Sequence, residues 1–319
     1  MIDEMNYYGK QKTPFLFIID FDKKNPLIFP IKKIKSDFIC YDINGIRNIP
    51  PPSNVKNVLS LTSDFISYKK YKKAFDIVKE NQCEGNSYLV NLTFPTPIKI
   101  NLSLEKIFLM AKAKYKILYK DQFVFFSPET FITIKNNLIS TYPMKGTIDA
   151  SIHDAKRKIL ESEKEYAEHV TIVDLLRNDL SLVSKNVKVE KFRYIDKIKN
   201  ISGKELFQVS SKITGVLPPL YHQKIGSIID KLLPAGSITG APKKETIKII
   251  KKAENYPRGY YTGICGYFDG YKLDSGVMIR YIEKTKNGFV FKSGGGITIY
   301  SDPFLEYKEL CDKVYVPII

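Results

Sequence analysis

Residues 86–100, NSYLVNLTFPTPIKI, are the stretch that most limits the choice of fold. β-Branched and aromatic residues dominate it, and such residues favour extended strands. Residues 14–40 alternate short apolar runs with turn signals and predict paired strands. Strand composition recurs at five further places: 123–127, 131–140, 259–269, 276–284 and 288–293.

Helical patterns lie in groups between these strands. In residues 63–82, the apolar side chains of Tyr68, Tyr71, Phe75 and Val78 fall on one side of a helix. Strands with helices grouped between them favour an α+β fold over a regular βαβ array. The further predicted helices are 102–115, 152–182, 221–232, 242–254 and 302–313.

No linker divides the chain. We expect a single domain, 1–319, with an N-terminal subregion (1–85) and a main body (86–319). Residues 48–52, NIPPP, predict a loop within the subregion.

The composition is that of a folded protein with a large core. The 319 residues are 44% hydrophobic and 13% aromatic, which excludes intrinsic disorder. The start of the chain is acidic and polar, and no apolar stretch is long enough to span a bilayer. Four cysteines without CxxC spacing predict buried thiols in a reducing compartment. We expect a cytoplasmic protein that does not associate with membranes.

The net charge of +16 raises the alternative of a lysine-rich nucleic-acid-binding protein. The lysines are spread along the chain, and no basic run carries the interleaved aromatic residues of a single-strand binder. A positive field also attracts anionic small molecules. We therefore expect no nucleic-acid partner and keep that function as a distant alternative.

Lys145 lies in the segment Tyr142–Thr147, YPMKGT, after a predicted strand. A nearby proline and a following glycine define the local backbone, which aims an otherwise flexible side chain. An aimed amine can act as a nucleophile, a general base or a fixed cation. The segment alone leaves these three roles open.

Two pairs of glutamates share one spacing on predicted helices. Glu165 and Glu168 are three residues apart, as are Glu306 and Glu309, with Lys313 on the face of the second pair. Carboxylates on two facing helices would suit Mg²⁺. Either pair alone is weak evidence for a metal site, because most charged side chains on helices are simply solvated. The packed side of the first helix is expected to carry Tyr166, Val170, Val173 and Leu176.

Two glycine-containing segments and one arginine could contact a ligand. Residues 234–243, PAGSITGAPK, lead into a predicted helix, so they form either an anion site or an ordinary capped turn. Residues 293–297, SGGGI, allow a ligand close to the backbone, or form a bulge. Arg280 ends a predicted strand and is either a carboxylate clamp or part of an edge salt bridge.

From Asn86 onward, the order and spacing of these segments resemble the chorismate-using enzymes. That family includes anthranilate synthase component I, aminodeoxychorismate synthase component I, and the isochorismate and salicylate synthases. The resemblance implies two large packed antiparallel sheets with helices outside. The matching segments are NSYLVNLT, FSPETF, YPMKGT, EKEYAEHVTIVDLLRNDL, LPAGSITGAPK, RGYYTGICGYF, GGGIT and SDPFLEY.

The resemblance also implies roles for residues in a chorismate site. Glu168 and Glu309 match the family's Mg²⁺ ligands, and Glu165 and Glu306 match carboxylates that support the metal through water. The residues that match substrate contacts are Arg280, Tyr261 and the Gly295–Gly296 backbone for the enolpyruvyl carboxylate, with Thr239 and Lys313 as further contacts.

Lys145 distinguishes members of the family. Anthranilate-forming members carry alanine there, whereas aminodeoxychorismate-forming members carry a lysine thought to attack ring C2. Glu129 matches the acid that protonates the leaving C4 hydroxyl. The resemblance therefore implies conversion of chorismate to 4-amino-4-deoxychorismate, for 4-aminobenzoate and folate synthesis. A separate glutamine amidotransferase would supply the ammonia. Anthranilate synthase and isochorismate or salicylate synthase remain alternatives.

Two departures from the family pattern bear on this expectation. Gln208 stands where most members have a histidine, and glutamine cannot act as a base. The N-terminal part is short and lacks the Leu-Leu-Glu-Ser segment used for tryptophan feedback, which argues against a feedback-regulated anthranilate synthase.

Overall fold

A computed structural model describes residues 1–49, 58–199 and 204–318 of the chain. Within these residues, two nine-stranded sheets form, and every strand pairing is antiparallel. The strands are β1 (Phe15–Ile19), β2 (Leu27–Pro30), β3 (Ile39–Ile43), β4 (Ile46–Arg47), β5 (Leu61–Ser63), β6 (Leu89–Ile100), β7 (Tyr115–Tyr119), β8 (Phe123–Ser127), β9 (Thr130–Lys135), β10 (Leu138–Thr141), β11 (Met144–Asp149), β12 (Lys185–Lys199), β13 (Glu205–Val216), β14 (Gly240–Ala241), β15 (Ile264–Phe268), β16 (Leu273–Val277), β17 (Tyr281–Thr285) and β18 (Gly288–Thr298).

The first sheet has the order β11-β13-β10-β9-β16-β15-β1-β2, with β12 paired to β13. The second has the order β14-β6-β18-β17-β8-β7-β3-β4, with β5 paired to β6. The largest buried apolar cluster contains Phe17 and Ile132 from the first sheet and Leu92 from the second. The two sheets therefore share a core, as the α+β expectation of two packed antiparallel sheets requires.

The helices pack against these sheets. Helix α5 lies against β11, β12 and β13, and α8 lies against β18. No helix among the described residues is long and apolar enough to cross a membrane. The helices are α1 (Ile2–Lys10), α2 (Tyr68–Cys83), α3 (Leu104–Met110), α4 (Ala155–Glu161), α5 (Glu163–Ser181), α6 (Ile225–Leu232), α7 (Lys243–Glu254) and α8 (Pro303–Asp312).

The strand predicted at 86–100 is confirmed as β6, although it begins at Leu89. It pairs with β18 from Leu89–Thr298 to Ile98–Phe289, along nearly its whole length. The prediction for 123–127 matches β8, and the paired strands predicted within 14–40 are β1 and β2. The loop predicted at 48–52 falls mostly on residues 50–52, which lie outside the described part of the chain.

Several predicted elements are wrong because a break divides them. Asn136 and Asn137, both with positive φ, split 131–140 into the hairpin β9–β10. Ser162 ends α4 and caps α5, where one helix was expected over 152–182. The helix predicted at 102–115 stops at Met110, and Tyr115 already belongs to β7.

Two of the breaks change how the site is built. The strand predicted at 276–284 is interrupted before Arg280, and the chain crosses there from β16 of the first sheet to β17 of the second. The three glycines Gly294–Gly296 do not follow a strand, because they lie within β18. Lys145, expected after a strand, lies within strand β11 itself.

The packed side predicted for α5 is half wrong. Val173 and Leu176 are buried, but Tyr166 and Val170 are 49% and 39% exposed. The buried face is instead completed by His169, Ile172 and Leu180. The expectation of buried thiols also holds only for Cys265, since Cys83 is exposed and Cys40 and Cys311 are partly so.

Candidate active site

A cavity of about 320 Å³ lies where β11 of the first sheet faces β18 of the second. Eight of the predicted site residues line it: Glu129, Lys145, Tyr261, Arg280, Gly295, Gly296, Glu309 and Lys313. These residues come from distant parts of the chain, so the meeting of the two sheets brings them together.

Lys145 enters the cavity from an irregular edge strand. The pairing of β11 with β13 shifts register between Met144 and Thr147. Gly146 has a φ of +87°, and a Cβ there would lie 2.8 Å from an oxygen of Glu165. Only glycine fits this close approach without displacement. The local backbone thereby directs the Lys145 amine inward, where its Nζ donates to Glu168 Oε2 at 3.0 Å.

The charge of the Lys145 amine is set by its neighbours. Burial lowers the pKa of Lys145, but attraction by Glu168, Glu309 and Glu165 outweighs it and raises the pKa above its usual value. The side chain is therefore an ammonium at neutral pH in this arrangement, and it must lose a proton before it can act as a nucleophile.

Helix α8 brings its carboxylates to the glycines of β18. Asp302 caps the helix by accepting from the backbone N–H groups of Phe304 and Leu305, both at 2.9 Å. A Cβ at Gly295 would lie 3.5 Å from Glu306 Oε2 and 3.6 Å from Glu309 Oε1. The glycine therefore lets both carboxylates lie close to the strand.

In each glutamate pair, one carboxylate forms an ion pair with a lysine: Glu168 in the first pair and Glu309 in the second. Lys313 Nζ lies 2.6 Å from Glu309 Oε1 and donates to the Gly294 carbonyl at 2.8 Å. Lys145 pairs with Glu168 in the same way, and a Cβ at Gly296 would lie 3.5 Å from the Lys145 Nζ. The glutamates of α5 and α8 thus approach the cavity from two sides.

The four glutamates fit Mg²⁺ in kind, because hard carboxylate oxygens are its preferred protein ligands. Among the described residues, however, no three or more acidic, histidine or cysteine side chains are gathered as a metal-binding group. Instead, Glu168 and Glu309 each contact a lysine ammonium. The four carboxylates are therefore suitable ligands for Mg²⁺, but two of them are paired with lysine ammonium groups.

Glu129 lies between β8 and β9 at the cavity wall. Its Oε1 accepts a hydrogen bond of 2.5 Å from Ser237 Oγ. Burial raises the pKa of Glu129, more than the Ser237 hydrogen bond and the nearby cations Lys313, Arg280 and Lys145 lower it. A carboxyl with a raised pKa can hold a proton near neutrality, as a general acid must.

Arg280 is placed by the crossing between the sheets. Its φ of 51° lies in the left-handed region, and its carbonyl accepts from the Phe126 backbone N–H. The guanidinium lies 5.0 Å from the centre of the Tyr315 ring. Tyr261 is 3% exposed, and burial raises the pKa of its hydroxyl. Both groups can donate to an anionic substrate.

Thr239 does not line the cavity. Its hydroxyl donates to the Ala235 carbonyl at 2.8 Å and is fully buried. From the same segment, Ser237 and Ile238 line the cavity instead. Glu165, Glu168 and Glu306 also lie just outside the lining.

Sequence reasoning missed several polar residues that line the cavity, among them Asn91, Ser237 and Lys292. Asn91 Oδ1 is buried and has no hydrogen-bond partner in the part of the chain that the structure describes. The signal was present, since Asn91 and Ser237 lie in segments already singled out. Gln208 also lines the cavity, from a position in β13 opposite Thr147.

A cavity lined by several cations and by a carboxyl with a raised pKa suits a small carboxylic acid. The chain belongs to the chorismate binding enzyme family, whose model matches residues 32–318. It is therefore a chorismate-utilising enzyme.

Comparisons with individual proteins agree with this family. An uncharacterized PabA-like protein of Haemophilus influenzae is 51% identical, over 99% of this chain and 96% of that protein. Aminodeoxychorismate synthase component 1 of Bacillus subtilis is 32% identical, over 77% of this chain but only 54% of its own length. The solved anthranilate synthase component I of Streptococcus pneumoniae has a TM-score of 0.69 at 23% identity, covering 83% of this chain and 62% of that one, which supports the fold.

Proposed function

We propose that this chain converts chorismate and ammonia to 4-amino-4-deoxychorismate. The observation that supports the proposal is the Lys145 amine, which lines the 320 Å³ cavity and lies 3.0 Å from Glu168. The name of the Bacillus subtilis relative supports the same reaction. The roles of all the site residues are part of this proposal.

The first half of the proposed reaction breaks the C4–oxygen bond. Lys145, whose ammonium donates to Glu168 Oε2 in this structure, must first lose a proton to water in the cavity, because Glu168 is a proposed metal ligand. The lysine nitrogen then bonds to ring C2 while the C4 hydroxyl leaves. Glu129 gives the proton with which that hydroxyl departs as water.

The second half forms the C4–nitrogen bond. Ammonia adds at C4, the bond between C2 and the lysine nitrogen breaks, and the amine of Lys145 is restored. Two easier displacements thus replace one difficult one. We propose that the ammonia comes from a separate glutamine amidotransferase and that the product serves 4-aminobenzoate and folate synthesis.

We propose Mg²⁺ as the cofactor. Glu168 and Glu309 would hold the ion, with Glu165 and Glu306 supporting it through water. When bound, Mg²⁺ would orient the ring carboxylate and withdraw negative charge from it. Arg280, Tyr261, Lys313 and the Gly295–Gly296 backbone would hold the remaining substrate oxygens.

Identification of the product tests this function. The purified chain is incubated with chorismate, MgCl₂ and ammonium chloride, and the products are separated and assigned by mass and absorbance. We expect 4-amino-4-deoxychorismate, formed only when ammonium is present. Anthranilate as the product would establish the alternative 2-amination, and isochorismate or salicylate would exclude amination altogether.

A further inference from the structure

Ser237 contacts the Glu129 carboxyl at one of its two oxygens. The Ser237 hydroxyl donates to Glu129 Oε1 at 2.5 Å, and it makes no other hydrogen bond to the described residues. Glu129 Oε2 accepts no hydrogen bond from these residues, and it is not one of the fully buried polar atoms without partners. Oε2 is therefore open to the cavity that Glu129 lines.

This difference between the two oxygens decides where an acidic proton is held. A protonated carboxyl group accepts a hydrogen bond at its carbonyl oxygen and donates from the other oxygen. With Ser237 donating to Oε1, the proton of Glu129 is on Oε2, on the side of the cavity. In the opposite arrangement, Glu129 would donate its proton to Ser237 Oγ and would have none to give to a substrate.

The backbone holds both partners of this hydrogen bond in place. Ser237 is the middle residue of a short 3₁₀ helix, Gly236–Ile238. The Ile238 carbonyl accepts from the buried Arg258 guanidinium at 2.9 Å. At the other partner, the Glu129 carbonyl accepts from the Val277 backbone N–H at 3.1 Å. The Ser237 hydroxyl is thus directed at the Glu129 carboxyl from a fixed turn.

The hydrogen bond from Ser237 also moderates how tightly the proton is held. Burial raises the pKa of Glu129, whereas the Ser237 hydrogen bond lowers it. The other ionisable groups that act on this carboxyl are the cations Lys313, Arg280 and Lys145 and the hydroxyl of Tyr261. A general acid must hold its proton and then release it, so a donor on the oxygen that does not react suits both demands.

We propose that Ser237 is a positioning residue that keeps the acidic proton of Glu129 on Oε2, towards the substrate. The inference rests on the proposed function, because it gives Ser237 a part in the proton transfer from Glu129. The proton passes from Oε2 to the C4 oxygen, the C4–oxygen bond breaks, and water leaves. Glu129 is left as a carboxylate, and the Ser237 hydroxyl stabilises its new charge.

Infrared difference spectra test the hydrogen bond without any turnover. Each protein is compared with the same protein carrying Glu129→Gln, which isolates the carbonyl stretch of the protonated Glu129. A hydrogen bond accepted by the carbonyl oxygen weakens the C=O bond and lowers this frequency. In Ser237→Ala the band should move to higher frequency and persist to higher pH, because loss of the donor raises the pKa of Glu129 further. Ser237→Thr keeps a hydroxyl and should restore both properties.

Steady-state kinetics with ammonium chloride as the nitrogen source measure the consequence for the reaction. We expect Ser237→Ala to lower kcat roughly two- to tenfold, as for the loss of one hydrogen bond, with the KM for chorismate unchanged. Ser237→Thr is expected to recover most of the wild-type kcat. A raised KM for chorismate at the wild-type kcat would assign the Ser237 hydroxyl to substrate binding and would overturn the inference.

Thr141→Val is the matched control. Thr141 lines the same cavity, but its hydroxyl donates to the Phe131 carbonyl at 2.9 Å and not to a carboxyl group. Its loss should leave the Glu129 band and kcat at their wild-type values. Equal changes in Thr141→Val and Ser237→Ala would overturn the inference, because they would reflect the loss of any hydroxyl from the cavity.

The two measurements separate the two claims. If wild type forms no aminated product, the proposed function fails, and the infrared band still decides whether Ser237 holds Glu129 Oε1. If wild type aminates chorismate but the band of Ser237→Ala stays at the wild-type frequency, only the inference about Ser237 is overturned.

Discussion

The pKa values of Lys145 and Glu129, which line the same cavity, are both raised, but for opposite physical reasons. Carboxylates around Lys145 raise the pKa of an amine that burial alone would lower. Burial around Glu129 raises the pKa of a carboxyl that nearby cations would lower. Both shifts favour the protonated form, although the proposed reaction needs only Glu129 to carry its proton.

Glu129→Gln tests whether the Glu129 carboxyl donates a proton in the reaction. The variant keeps the size of the side chain and its contact with Ser237 but cannot donate an acidic proton. We expect amination to fall by roughly 10²- to 10⁴-fold, as for the loss of a general acid, with chorismate binding retained. Single-turnover rates would measure the loss, and a rate equal to wild type would remove Glu129 from the reaction.

The same variant should change the pH dependence of unfolding. The folded-state pKa of Glu129 lies above the usual value, so the folded chain binds this proton more tightly than the unfolded chain does. The stability that this tighter proton binding gives the folded chain is fully present below the unfolded-state pKa, and it is lost as pH rises through the folded-state pKa. The free energy of unfolding of Glu129→Gln, measured with urea, should therefore rise relative to that of wild type as pH rises. A difference that does not depend on pH would contradict this.

At the scale of elements, a buried ion pair at the end of α7 holds three cavity segments in place. Arg258 and Glu254 have side chains only 2% and 1% exposed, with Nη2 2.6 Å from Oε1. The guanidinium also donates to the carbonyls of Asn91 and Ile238 and to the Thr262 hydroxyl. The pair thus links β6, the segment before β14 and the segment before β15.

Arg258→Met should destabilise the fold strongly, because it leaves the Glu254 carboxylate buried without its cation. We expect a loss of roughly 3–5 kcal/mol in the free energy of unfolding, measured with urea. Adding Glu254→Gln should recover part of that loss, since no buried charge then remains unpaired.

Arg177→Met provides the control for this prediction. Arg177 forms a similar ion pair with Asp174 on α5, but the two side chains are 53% and 67% exposed. Its loss should cost less than about 1 kcal/mol. Similar losses for Arg177→Met and Arg258→Met would show that burial does not govern the pair.

Helices and strands were predicted correctly from the sequence where one pattern of apolar residues extended over a whole segment. The strand at 123–127 and the helix at 242–254 are near the observed β8 and α7 because their apolar patterns are uniform. The sequence did not predict the breaks between elements that depend on a single residue, such as Ser162 between α4 and α5 and Arg280 between β16 and β17. Strand β12 was missed because its apolar alternation changes phase between Val189 and Phe192, where its pairing with β13 also shifts register.

At the scale of the whole molecule, no local sequence pattern could predict that the two sheets meet at one cavity. Lys145 belongs to the first sheet, and Gly296 and the α8 carboxylates come from the second sheet and its helix. Local chemistry could identify an aimed amine, paired glutamates and glycine segments, but not that they share one cavity. The family resemblance supplied that grouping, and it did not reveal Asn91.

The central claim, that Lys145 is the nucleophile in amination, predicts a covalent intermediate. The chain is mixed with chorismate and MgCl₂ without ammonium, quenched in acid, and its intact mass is measured. We expect a fraction of the chain to gain the mass of chorismate less one water, on the peptide that contains Lys145, and Lys145→Ala to gain nothing. Wild-type chain that stays unmodified, under conditions in which added ammonium gives aminated product, would contradict the claim.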